Sequence, residues 1–217
     1  MKSDIDFYNE ILDELTWDSH VPDARIAISV CNGVATLTGQ LDTYAEKLAV
    51  KSAAENVLGL HTLILDISVD PPKIHQRSDT EIAAAIEHLL SWSTPVSRKN
   101  LKIAVNDGWI TLAGELDWDF ERRAVEKLIH PLKGVVGITN NISIKPHVIP
   151  LSISNRIKET LVRQVSQKAQ DIDIYVDGSI ITLRGQVQSI AEKNAMEGTT
   201  WSAPGVSKVN SQITIGL

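Results

Sequence analysis

The sequence predicts an α+β protein of three tandem αββαβ units, each a small three-stranded mixed sheet with two helices on one face. The first observation behind this is an internal repeat. A shift of 75 residues lays CNGVATLTGQL (31–41) on NDGWITLAGEL (106–116), and a further 71 lays that on DGSIITLRGQV (177–187). Such self-similarity has to be read before any single element, because it fixes the architecture. The second is that apolar spacing within each unit changes from four residues to two, as expected where a helix gives way to strands. The third is a glycine-containing turn pair between two alternating runs, which marks a β-hairpin.

Taken in order, the unit opens with apolar residues every four positions: Phe7, Ile11 and Leu15, matched by Ile82, Ile86 and Leu90 and by Ile153, Ile157 and Leu161. That spacing lines one face of an amphipathic helix. Ile26, Ile28 and Val30, with their counterparts Leu101, Ile103 and Val105 and Ile172, Ile174 and Val176, alternate as in a half-buried strand. Asn32-Gly33, Asp107-Gly108 and Asp177-Gly178 supply the turn, and Ala35 and Leu37 (Ile110 and Leu112; Ile181 and Leu183) begin the second strand. A repeated glycine, Gly39, Gly114 or Gly185, follows and predicts a bulge or a close approach by a helix. The second helix starts with a capping box in two copies, Thr43 to Glu46 and Ser189 to Glu192, and stops near Gly59, Gly134 or Gly205. HTLILDISV, VGITNNISI and SKVNSQITI then alternate as a third strand. Because the second helix joins strands two and three, it is a crossover, and both helices are expected to cover one sheet face.

The proline-bearing stretches VDPPKIHQRSD and IKPHVIPLSIS separate the copies. Proline removes donors and fixes dihedrals, so short stiff linkers are predicted at 71–73 and 147–149. The domains are then 1–70, 74–146 and 150–217.

Composition narrows the function. The chain carries a net charge of -6, and residues 1–73 alone hold 5 Lys and Arg against 12 Asp and Glu. A broad nucleic-acid surface needs a clustered cationic excess, so no nucleic acid is expected as partner. No apolar run reaches membrane-spanning length and the acidic start MKSDIDFYNEIL is unlike a signal peptide, so the expected location is cytoplasmic. Cys31 is the sole cysteine. The six histidines form no spacing suited to a metal, and GxSxG, HExxH and GxxxxGK[ST] are all missing. The expectation is a non-enzymatic protein with no metal and no cofactor.

The runs VCNGVATLTG, VNDGWITLAG and VDGSIITLRG, followed by GLHTLILDISV, GVVGITNNISI and GVSKVNSQITI, resemble the BON domain, the bacterial osmotic-stress and nodulation domain also called the transport-associated domain. The resemblance extends over essentially the whole chain, three times. It implies binding rather than catalysis, of phospholipid surfaces or of envelope and stress-related protein partners, as in family members like osmotically inducible protein Y.

Candidate binding residues are sought where the copies differ, because scaffold positions should agree. Trp118 stands where Thr43 and Ser189 cap the second helix, which forgoes about 1 kcal/mol of capping unless a neighbouring aspartate substitutes. Beside it are Phe120, Arg122 and Arg123. Aromatics interleaved with arginine at a helix start suit an anionic lipid interface; packing of Phe120 into the core is the plainer reading. Trp109 is predicted on the sheet face away from the helices, either in packing between repeats, in a dimer contact, or in a groove for a partner or lipid. Trp17 and Trp92, aligned at the end of helix one, are expected to pack inside. Two alternative functions remain: an osmotic-stress protein acting by self-assembly or client holding, and a sensor of a small ligand or monovalent cation.

Overall fold

The computed structural model describes residues 2–22, 25–92, 100–146 and 172–216. The expected first helix of repeat 3, with Ile153, Ile157 and Leu161, and the linker at 147–149 lie outside the described residues. Repeat 1 consists of α1 (Asp4–Trp17), β1 (Ile26–Cys31), β2 (Val34–Leu41), α2 (Tyr44–Glu55) and β3 (Thr62–Val69). Repeat 2 follows the same order with α3 (Asp79–Trp92), β4 (Leu101–Asn106), β5 (Trp109–Leu116), α4 (Asp119–Ile129) and β6 (Gly137–Ile144). In repeat 3 the described elements are β7 (Ile172–Asp177), β8 (Ile180–Val187), α5 (Ile190–Trp201) and β9 (Lys208–Ile215).

Every sheet is mixed, as the connections require. The hairpin partner is antiparallel and the strand after the crossover is parallel, with β2, β5 and β8 in the middle. The registers superpose: Ile28 faces Leu37, Ile103 faces Leu112 and Ile174 faces Leu183. In repeats 1 and 2 a core lies between one sheet face and two helices, and in repeat 3 α5 packs on the corresponding face. In repeat 1 that core joins Phe7, Ile11 and Leu15 of α1 to Ala35, Leu37 and Leu41 of β2 and Val50 and Ala54 of α2.

Turn chemistry follows the side chains present. Asn32 and Gly33 have φ of 51° and 73°, and Asp107 and Gly108 have 48° and 75°. Both central residues are thus left-handed, the type I′ turn whose twist matches the strands. A carboxylate from the first helix clamps each of these turns. Asp4 accepts the Asn32 and Gly33 amides at 2.9 and 3.0 Å, and Asp79 accepts those of Asp107 and Gly108 at 2.9 Å each. In repeat 3 the pair is shifted by one residue: Asp177 faces Ile180, so the loop is Gly178-Ser179, with only Gly178 at positive φ. That is the glycine-first, type II′ alternative.

Two expectations are corrected. Trp17 and Trp92 do not pack inside: they are 92% and 79% exposed. Each lies two residues past the last core position, Leu15 or Leu90, which rotates it about 200° to the far side of its helix. The repeated glycine marks a close approach, but of a backbone strand entry rather than a helix. A Cβ on Gly39 would lie 2.2 Å from the Arg25 carbonyl oxygen, and one on Gly114 would lie 1.9 Å from that of Asn100.

Candidate functional site

The three crossover helices meet one another, and the start of each faces the end of the next. Tyr44 at the start of α2 packs edge-on against His130, just beyond the end of α4, with ring centroids 5.8 Å apart. Arg122 and Arg123 in the first turns of α4 reach the end of α5. Arg122 lies over the Trp201 ring at 4.4 Å from its centroid, while Arg123 donates to the Gly198 carbonyl and the Ser202 hydroxyl at 3.2 and 2.6 Å. At the third junction Ile190, at the start of α5, packs against the core of repeat 1. Asn194 donates to Glu55 at 3.0 Å, and the Gly59 amide donates to the Gln188 carbonyl at 2.7 Å. The junctions therefore run from repeat 1 to 2, 2 to 3 and 3 to 1. A head-to-tail contact of this kind makes a closed ring when its rotation closes.

The ring explains the start of α4. Asp119, 4% exposed, forms ion pairs with Arg122 and, at 2.8 Å, with Arg123 Nε. Burying a carboxylate is costly unless it is paired, and here two guanidinium groups pair it. Asp119 thus orients the arginines toward repeat 3 and is not the helix cap. The Trp118 indole offers no acceptor oxygen, so the hydroxyl half of the capping box is missing. The other half is present, with Glu121 accepting the Trp118 amide at 3.1 Å, and the Glu121 amide turns back to the Trp118 carbonyl at 3.2 Å.

The sequence-derived candidates fall into two places. Trp118, Phe120, Arg122 and Arg123 are brought together where repeat 2 meets repeat 3. Trp118 is 38% and Phe120 52% exposed, so Phe120 is not core filling. They line a cleft of about 410 Å³ whose other wall is Trp201, Pro204 and Val206. A second groove that also borders Phe120 is lined by Lys51, Arg123, Glu126, Lys127 and His130. Trp109 is elsewhere, on the sheet face opposite the helices, and is 47% exposed. Residues missed at the sequence level are Trp201 and Ser202, the partners of the two arginines. Their signal was the column in which Glu55, His130 and Trp201 align without resembling one another.

Electrostatics at the first junction are cooperative. The Glu126 carboxyl is held below its ordinary value of 4.5, chiefly by His130, whose Nε2 stands 3.7 Å from it, against the opposing effect of burial, and then by the Asn140 amide at 3.2 Å. The Tyr44 phenol is pushed above its ordinary 10.0 by burial and next by Glu126. A carboxyl depressed on folding contributes stability that is fully present above its unfolded pKa and is lost as pH falls through its folded pKa. Glu126→Gln is therefore expected to cost about 0.5–1 kcal/mol at pH 7 and to flatten the pH dependence of stability below about pH 4.5. Urea titrations at pH 7 and pH 3.5 check this; an equal loss at both values would exclude the charge as the cause.

Among the described residues there is no group of three or more His, Cys, Asp or Glu side chains suited to a metal ion, and no helix long and apolar enough to cross a membrane. The BON domain family matches residues 9–71, 78–146 and 152–216. A protein of Anaplasma centrale, described as an uncharacterized protein in the gshII 5′ region, is 25% identical over 123 residues, spanning 54% of this chain and 82% of its own. Among solved structures, CdsD, a structural protein of the type III secretion system of Chlamydia trachomatis, aligns over 97% of this chain and 92% of its own at 13% identity and a TM-score of 0.27. The CdsD C-terminal domain covers 100% of both chains at 12% identity and a TM-score of 0.25.

Proposed function

Because the chain belongs to the BON domain family and carries the domain three times, we propose that it is a non-enzymatic binding scaffold that docks on anionic phospholipid surfaces through the start of α4. The observation that carries this reading is the exposure of Trp118 and Phe120, which line one cleft at the start of α4, with Lys51, Lys127 and a single carboxylate, Glu126, in the groove beside Phe120. Aromatic rings insert at the headgroup boundary while cations on long stems meet phosphate. Arg122 and Arg123 have little part in this, since Asp119 and the end of α5 hold both. The acidic repeat 1 adds orientation, because a region holding 5 cationic and 12 anionic residues is repelled by the surface that the patch approaches.

Flotation with phosphatidylglycerol vesicles tests the reading. Binding is expected to weaken at least fivefold in Trp118→Ala/Phe120→Ala, and to fall with added salt and in Lys127→Glu. Undiminished binding by the double variant, or no binding by the intact protein, would sink it.

A second reading, self-assembly or a protein partner, is favoured by α1. Its outer face exposes Ile5, Tyr8 and Leu12, one stripe at helical spacing, where α3 has Thr80, Ala83 and Glu87. A protein that stays monomeric at high concentration and captures no partner through that stripe would leave the lipid reading alone.

A further inference from the structure

Trp109 is not a stray exposed aromatic. It begins the central strand β5, and its direct neighbour on β6 is Gly137. The same two columns hold Val34 with Thr62 in repeat 1 and Ile180 with Lys208 in repeat 3. Only repeat 2 pairs a large ring with the absence of a side chain, and the two features depend on each other. A Cβ on Gly137 would lie 2.5–2.8 Å from three carbons of the indole's six-membered ring. The ring therefore lies over the glycine, which is buried beneath it. Its Nε1 donates to the Thr139 hydroxyl, two residues further along β6, at 2.9 Å. The glycine at one end and the hydrogen bond at the other hold the indole flat on the sheet, with its outer face open.

The surroundings decide what such a plate can take. The sheet face around it presents Ala104, Asn106, Thr111 and Asn141; its two charges, Lys102 and Glu115, stand toward the opposite end and cancel, and at the near end the Asp107 carboxylate in the turn accepts from the Asn106 side-chain amide at 3.2 Å. A phosphate-rich ligand would find no cationic cluster there. A lone apolar plate also gives an apolar peptide too little to bury. A ligand with a flat C–H face and a rim of uncharged hydroxyls fits both parts: the C–H face covers the ring, and the hydroxyls exchange water for threonine and asparagine. Because the indole is already fixed, binding orders few rotamers.

We infer that the open face of repeat 2 is a neutral-saccharide site in which a sugar ring stacks on Trp109. The full chain should migrate more slowly through native gels cast with a neutral polysaccharide. Hydroxyethylcellulose, laminarin and dextran are the probes, and bovine albumin is the mobility reference. Trp109→Ala should weaken the retardation at least tenfold. Since loss of the indole also uncovers Gly137, the second variant transplants repeat 1's pair, Trp109→Val with Gly137→Thr, which suits a strand and should fold normally by circular dichroism yet also lose retardation. Retardation by none of the three polysaccharides, or retardation kept by the transplanted pair, would overturn the inference. So would a concentration-dependent dimer that Trp109→Ala dissolves, because the plate would then serve a second copy of the chain. The lipid patch at α4 lies on another surface, so flotation in these variants should be unchanged and the two assignments fail independently.

Discussion

Gly114→Ala is expected to destabilise the protein by about 4 kcal/mol. Two costs act together. At φ 141° the backbone is in a region that side chains rarely adopt, worth about 1–3 kcal/mol. The added Cβ would also meet the Asn100 carbonyl oxygen at 1.9 Å, and relief requires moving the entry to β4 against its pairing with β5, adding about 1–3 kcal/mol. Urea unfolding followed by circular dichroism measures the change. A control is Gly33→Ala, where positive φ is the only penalty because a Cβ there meets nothing within 4 Å. That variant should lose only about 1 kcal/mol. Equal losses at the two positions would show that the close approach is not the cause.

Asp119→Ala is the second large effect, with an expected cost of about 2–4 kcal/mol. The carboxylate side chain is 1% exposed and both of its arginine partners are partly exposed. The loss should therefore fall at or below the 3–5 kcal/mol typical of a fully buried broken pair, because water can re-solvate the guanidinium groups. The effect should not be confined to repeat 2. Released from Asp119, Arg122 and Arg123 no longer have a fixed aim toward Trp201 and Ser202, so the junction between repeats 2 and 3 loosens. Arg122→Met, which keeps an aliphatic stem but drops the guanidinium that lies over Trp201, should lose less than Asp119→Ala does. A loss larger than that of Asp119→Ala would place the stability in Arg122 itself.

The repeated columns made the fold legible. Positions that agree in all copies, such as Leu37, Leu112 and Leu183 or Gly59, Gly134 and Gly205, are the core and the turns, and their roles follow from periodicity and from positive φ. The varying columns single out the start of α4 in the sequence, and the structure places Arg122, Arg123, His130 and Trp201 in contacts between repeats. Glu55, His130 and Trp201 share one column, and the structure sets each against the start of another repeat's crossover helix, through Asn194, Tyr44 and Arg122 respectively. Nothing in one sequence joins Arg123 to Ser202, which is 79 residues away in another repeat. A paired arginine and a free one therefore read alike. Trp109 stands out in the sequence without its partner, which is marked only by a glycine in the column of Thr62 and Lys208. The outward turn of Trp17 and Trp92 follows from helical rotation, since each stands two residues beyond Leu15 or Leu90.

The varying faces of α2, α4 and α5 close the three repeats into one body, with the start of α4 and the Trp109 face exposed on it. Native-state hydrogen exchange on the full chain tests it most directly, comparing wild type with Asp119→Ala. In the wild type, core amides of β2, β5 and β8 should exchange through a common opening with one shared free energy, as in a single cooperative unit. In the variant that value should fall in all three strands. Three unrelated opening free energies in the wild type, or a fall restricted to β5, would contradict the closed ring and leave the chain as three domains on a string.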